Sequence, residues 1–181
     1  MIHGWSGNPG NSFLPWLKKN LEERGYAVTA LLMPEPDRPR IETWVPFISK
    51  AIGNPDPDTL LVGHSIGCQA IMRYLAELPE GVTVGTILLV GGWISKQTDR
   101  YTPEKLAIAK PWIETPINFA RIRRVAPRVI GVFSDNDPHV TMDNVEIFKD
   151  TLGAETIVKQ GQGHFSDADG VTTIPELLPY L

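Results

Sequence analysis

Leu60-Leu61-Val62-Gly63-His64-Ser65-Ile66-Gly67 is an apolar run that ends in glycine-x-serine-x-glycine and passes directly into a helix-length segment, Ile66 to Leu78, which stops before Pro79. Strand, sharp turn and helix in that order lift a serine clear of a sheet edge, and the order is what gives so short a pattern its meaning. The turn is strained and neighbouring side chains would collide in it, which accounts for glycine at 63 and 67. The helix directs its positive end and the Ile66 N–H toward the spot where negative charge would gather on a reacting carbonyl. A glycine-rich turn with an incidental serine is the competing reading.

On both sides of this elbow, nearly continuous apolar, β-branched runs recur at Tyr26 to Met33, Thr59 to Gly63, Val84 to Gly91, Arg128 to Ser134 and Ala154 to Lys159. Such runs suit strands of a parallel sheet covered on both faces, because a half-exposed antiparallel strand would alternate with period two. Between them, Asn11 to Glu23 carries Phe13, Leu14, Leu17 and Leu21 at near-helical spacing ahead of Gly25, and Ile41 to Ile52 carries Trp44, Val45, Ile48 and Ile52. Asp143 to Leu152 stops at Gly153, and Ile174 to Leu181 reads as a closing helix. This alternation implies an α/β fold in three layers, doubly wound around a mostly parallel sheet with right-handed crossovers.

Residues 92–127 break the rhythm: they hold Trp93, Trp112, Phe119 and four prolines where a simple crossover needs only a helix of about 10–15 residues. They read as a cap-like insertion over the active-site edge of a single domain spanning residues 1–181. At the start, only Ile2 precedes His3-Gly4-Trp5, so either the first strand is very short or the true start lies upstream.

The 181 residues carry 17 Lys+Arg against 21 Asp+Glu, a net charge of −4, which offers no basic excess for nucleic acid or an anionic membrane. The single cysteine, Cys68, excludes an internal disulfide and a cysteine-based zinc cluster, and reads as a small core residue. The longest apolar stretch, Thr86 to Ile94, falls well short of the ~18 residues of a membrane helix. With no basic and apolar leader at the start, the cytoplasm is the expected compartment. Arg121, Arg123, Arg124 and Arg128 are read as a solvated face.

A serine needs a base, and the base needs an orienting group. Of the four histidines, His64 sits on the elbow itself, where the turn sends its side chain away from the serine, and His3 belongs to a His-Gly pair that shapes a second oxyanion loop. His164 follows the last strand in Gly161-Gln162-Gly163-His164-Phe165, at the carboxyl edge of the sheet where Ser65 also lies, and is read as the base. The acid is expected after the preceding strand, in Phe133-Ser134-Asp135-Asn136-Asp137-Pro138; Asp137 is preferred and Asp135 held in reserve, since either can serve as a turn former. The order Ser65, Asp137, His164 is the nucleophile-acid-base order of α/β hydrolases.

His3-Gly4-Trp5, Gly63-His64-Ser65-Ile66-Gly67, Asp137-Pro138-His139-Val140 and Gly163-His164-Phe165 together resemble the small serine hydrolases of the retinoblastoma-binding-protein-9/YdeN group, over nearly the whole chain. The resemblance implies a minimal α/β-hydrolase fold and a triad of Ser65, Asp137 and His164. It further implies oxyanion donors at Ile66 and Trp5, no metal or cofactor, and carboxylesterase-type turnover of small or medium acyl esters. His3, Gly4, His64, Trp93 and Trp112 are the expected substrate-binding residues, with the alternative for the two tryptophans that they simply pack the insertion. A non-catalytic binding protein on the same fold, and an amide or thioester hydrolase, are the rival readings.

Overall fold

The computed structural model describes residues 1–95 and 101–181. Four strands, β1 (Leu61–His64), β2 (Thr86–Val90), β3 (Arg128–Ser134) and β4 (Glu155–Lys159), lie in that order in one sheet, and every neighbouring pair is parallel. Ile2 adds a single rung beyond β1, bridging to Gly63 on one side and to Leu31 on the other.

Helices α1 (Leu14–Glu23), α2 (Ile41–Ile52), α3 (Ile66–Glu77), α4 (Pro103–Glu114), α5 (Phe119–Val125) and α6 (Asp143–Leu152) connect and cover these strands. Alternate strand residues point to opposite faces, so the sheet separates two cores. Leu61, Ile87, Leu89, Val129 and Phe133 pack with residues of α2, α3, α5 and α6, while Val62, Leu88, Val90, Ile130 and Val132 pack with Phe13, Leu14, Leu17 and Leu21 at α1 and with Ile174 and Leu177 near the end of the chain. Three layers result, doubly wound, as the alternation of runs implies.

The chain leaves Ile2 in one direction, toward Leu31, and returns to β1 on the other side of Ile2. Right-handed crossovers therefore place α1 and α2 on opposite faces, and the sheet has its switch point between Ile2 and β1. The crevice above that point is framed by the two segments leaving it, His3-Gly4-Trp5 and the elbow.

Three expected elements differ. The run Tyr26 to Met33 forms no strand beyond the bridge at Leu31, whose N–H donates to Met1 O; past it the Met33 N–H is taken by the His3 ring in place of a backbone carbonyl. Helix α1 starts at Leu14, not Asn11, since Ser12 is held at φ 58 in the left-handed region. The closing segment is a 3₁₀ turn, Pro175–Tyr180, in which Pro179 supplies no N–H for an α-helical ladder. Of the insertion, residues 96–100 lie outside the described residues. Among the described residues no helix is long and apolar enough to cross a membrane.

Candidate active site

Ser65 sits between β1 and α3 with φ 55 and ψ −121, a conformation costly for any residue with a side chain. Its N–H donates to Val90 O at 2.9 Å and its carbonyl accepts the Cys68 N–H at 3.0 Å, so both neighbours of the turn hold it in place. A Cβ at position 63 would lie 2.9 Å from Cys68 N, and one at position 67 would lie 2.6 Å from Ile2 O and 2.7 Å from His3 O. The second glycine thus lets the N-terminal segment lie directly on the elbow. Gly67→Ala is expected to lower stability by about 1–3 kcal/mol, since both obstructing atoms are backbone and cannot rotate away; urea unfolding measures the change.

His164 Nε2 lies 2.7 Å from Ser65 Oγ, and His164 Nδ1 lies 2.8 Å from Asp137 Oδ2. Asp137 Oδ1 accepts the N–H groups of His139 at 2.8 Å and Val140 at 3.0 Å, so the carboxylate is aimed by its own turn. Its side chain is 1% exposed against 12% for His164, which leaves the imidazole reachable and the acid sealed behind it. Asp135 is elsewhere: its Oδ1 accepts the Gly161 N–H at 2.8 Å and its N–H donates to Lys159 O, tying the ends of β3 and β4 together.

The loop bearing His164 is clamped by its own N–H groups. Gln162 N–H donates to Ser134 Oγ, Gly163 N–H to Asn136 Oδ1, and His164 N–H to Asp169 Oδ2. Burial pushes the Asp169 carboxyl up, but hydrogen bonds from the Ser166 hydroxyl, the Ser166 N–H and the His164 N–H outweigh it and hold the group below the usual carboxylate range.

His3 is committed to structure. Its Nε2 accepts the Met33 N–H at 3.0 Å, which puts the ring proton on Nδ1, where it donates to Gly4 O at 2.7 Å. Burial lowers its pKa, against the Gly4 carbonyl bond that raises it. Ser6 N–H is spent on Pro36 O and Gly7 N–H on Gly4 O. The backbone N–H of Trp5, and that of Ile66 at the first turn of α3, donate to no group among the described residues, while the Trp5 indole N–H donates to Asp37 O.

A pocket of about 410 Å³ opens over the serine, lined by His3, Gly4, Trp5, His64, Ser65 and His164, and also by Asn11, Ser12, Tyr101, Lys105, His139 and Asp167. Asp167 accepts from Asn11 Nδ2 at 2.7 Å and from Ser12 N–H at 2.6 Å, joining two walls of the pocket that are 155 residues apart in sequence. Nothing in the local pattern around Asp167 marks it, because its partners come from the other end of the chain.

Trp93 and Trp112 do not line the pocket, which corrects their reading as substrate-binding residues. Trp112 is buried in the core with its Nε1–H on Pro39 O at 2.9 Å, its ring edge-on to Trp44 and the Arg73 guanidinium 5.8 Å from the ring centre. Trp93 is buried beside α3, where Gln69 Nε2 donates to its carbonyl. Large apolar surface is more stable in that core than on an open rim. Tyr101 and Lys105 are the described insertion residues that reach the pocket.

The chain is 29% identical to YdeN of Bacillus subtilis (strain 168) over 97% of its length and 89% of that protein, and 29% identical to the serine hydrolase RBBP9 of Rattus norvegicus over 92% of its length and 81% of that protein. The crystal structure of the B. subtilis ydeN gene product superposes with a TM-score of 0.89 at 28% identity, covering 99% of this chain and 93% of that one. Est1E of Butyrivibrio proteoclasticus, solved with ferulic acid bound, shares the fold with a TM-score of 0.66 at 13% identity, over 92% and 80% of the two chains. A model describing serine hydrolases matches residues 1–181, the full span that carries the elbow, the acid turn and the histidine loop, and the chain belongs to the serine hydrolase family.

Proposed function

We propose that this serine hydrolase cleaves small or medium acyl esters through an acyl-enzyme, with Ser65 as nucleophile, His164 as general base and Asp137 as the orienting acid. The observation that carries the reading is the unbroken relay from Ser65 Oγ to His164 Nε2 at 2.7 Å and from His164 Nδ1 to Asp137 Oδ2 at 2.8 Å, facing a pocket of about 410 Å³. Asp137 holds the proton on Nδ1 and leaves Nε2 to take the serine proton as Oγ attacks the acyl carbon. The resulting oxyanion is met by the N–H groups of Ile66 and Trp5. The imidazolium then returns its proton to the leaving alkoxide, and water repeats the sequence on the acyl-enzyme.

The size of the pocket favours a small-molecule acyl substrate over a long lipid chain. We take the working compartment to be the cytoplasm. Intact-mass labelling with a fluorophosphonate tests the nucleophile: one adduct is expected, mapped to Ser65 and absent from Ser65→Ala. An adduct on another serine, or none on folded protein, overturns the reading.

A further inference from the structure

His64 lies between nucleophile and base without a part in the acyl-transfer steps. Its Nε2 is 2.8 Å from the carbonyl oxygen of His164, and since a carbonyl only accepts, Nε2 carries the proton and donates it. The ring is buried, edge-on to Phe13 with centres 5.5 Å apart and 5.3 Å from the ring of His164. Burial, and next the neighbouring His164, push its pKa down to about 4, so it is an uncharged donor at neutral pH.

Asp167, three residues beyond His164, is tied to Asn11 and Ser12, and the N–H clamps on residues 161–165 of the histidine loop run to the exit of β3 or within the loop itself, through Ser134, Asn136, Asp135, Gln162 and Asp169. They fix the base relative to its acid. The bond from His64 runs to the elbow, one residue from Ser65, and so fixes the base relative to the nucleophile.

We infer that His64 is a positioning residue for the acyl-transfer reaction, locking the carbonyl of His164 to the elbow so that His164 Nε2 stays within hydrogen-bond distance of Ser65 Oγ. The inference rests on the proposed esterase reading, because the distance it protects matters only if Ser65 attacks. Misplacement of a reacting pair by about 1 Å can cost on the order of a hundredfold in rate, and ring stacking alone cannot set the height of the loop.

The test compares His64→Leu, which removes the donor, with His64→Gln, whose amide nitrogen reaches about as far as Nε2, on a short-chain aryl ester. His64→Leu is expected to lower kcat by ~10–100-fold with KM little changed, and to slow fluorophosphonate uptake in parallel; His64→Gln recovers most of the loss. Wild-type kcat in His64→Leu, or equal impairment of the two variants, overturns the inference while leaving the esterase reading intact. A wild-type protein that neither turns over the ester nor takes up the probe overturns both. Should His64→Leu fail to fold, ¹⁵N-histidine spectra of the wild type decide: the Nε2–H tautomer at neutral pH is expected, and the Nδ1–H tautomer refutes the bond.

Discussion

His164→Ala is expected to lower kcat on a short-chain aryl ester by ~10⁶, the scale reached when a serine hydrolase loses its base. Without a base the Ser65 hydroxyl is un-ionised at neutral pH and a weak nucleophile. Neither His64 nor His3 can take over. His64 has its proton on Nε2, committed to the backbone of residue 164, and His3 uses Nε2 to accept the Met33 N–H and Nδ1–H to hold Gly4. Ser65→Ala should fall by a similar factor, and the double variant should be no worse than either single one, because residues that act in one proton-transfer unit are strongly non-additive. Steady-state kinetics with circular dichroism as the check on folding decide this; a loss under a hundredfold (a bound set by the scale of a triad deletion) at His164 on folded protein overturns the assignment.

The second large effect concerns the acid. In Asp137→Asn the amide must still satisfy the N–H groups of His139 and Val140, which Oδ1 accepts at 2.8 and 3.0 Å. Those two donors keep the amide oxygen on their side and turn the NH₂ toward His164 Nδ1. A donor at that point makes Nδ1 the acceptor and moves the ring proton to Nε2, where it blocks the attack on the serine proton. The loss in kcat is expected at ~10⁴, the size found when the orienting acid of a serine protease is replaced by its amide. Asp135→Asn keeps an oxygen for the Gly161 N–H and touches no reacting group, so it should cost less than about tenfold; in hydrogen-bond terms a neutral acceptor replaces a charged one at a single site. A greater loss at Asp135 than at Asp137 would reverse the roles.

Local chemistry made much of this readable from the chain alone. Strand, glycine-x-serine-x-glycine and helix occupy consecutive residues, and their consequence, a serine at φ 55 on a sheet edge, follows from steric rules that act over a few bonds. β3 was legible to its ends at Arg128 and Ser134, and α2 and α6 likewise, because apolar residues at strand or helix period are bounded there by turn residues or glycine. The places of His164 and Asp137 were legible because parallel strands deliver their following loops to one edge.

What tertiary structure alone decided depends on partners far away in sequence. Tyr26 to Met33 has strand composition, yet a strand exists only where a neighbour completes the ladder, and past Leu31 the Met33 N–H goes to the His3 ring and not to a neighbouring backbone carbonyl. Trp93 and Trp112 have the chemistry of pocket residues and of core residues alike; contact with Pro39, Trp44, Gln69 and Arg73 settles them as core. The duties of the histidines divide in the same way. His3 and Met33 are 30 residues apart, His64 and His164 a hundred, and which ring nitrogen bears the proton is set by the acceptor that folding brings to it. Composition and period are properties of a segment, whereas a tautomer, a buried tryptophan or a completed ladder is a property of the pair that packing brings together.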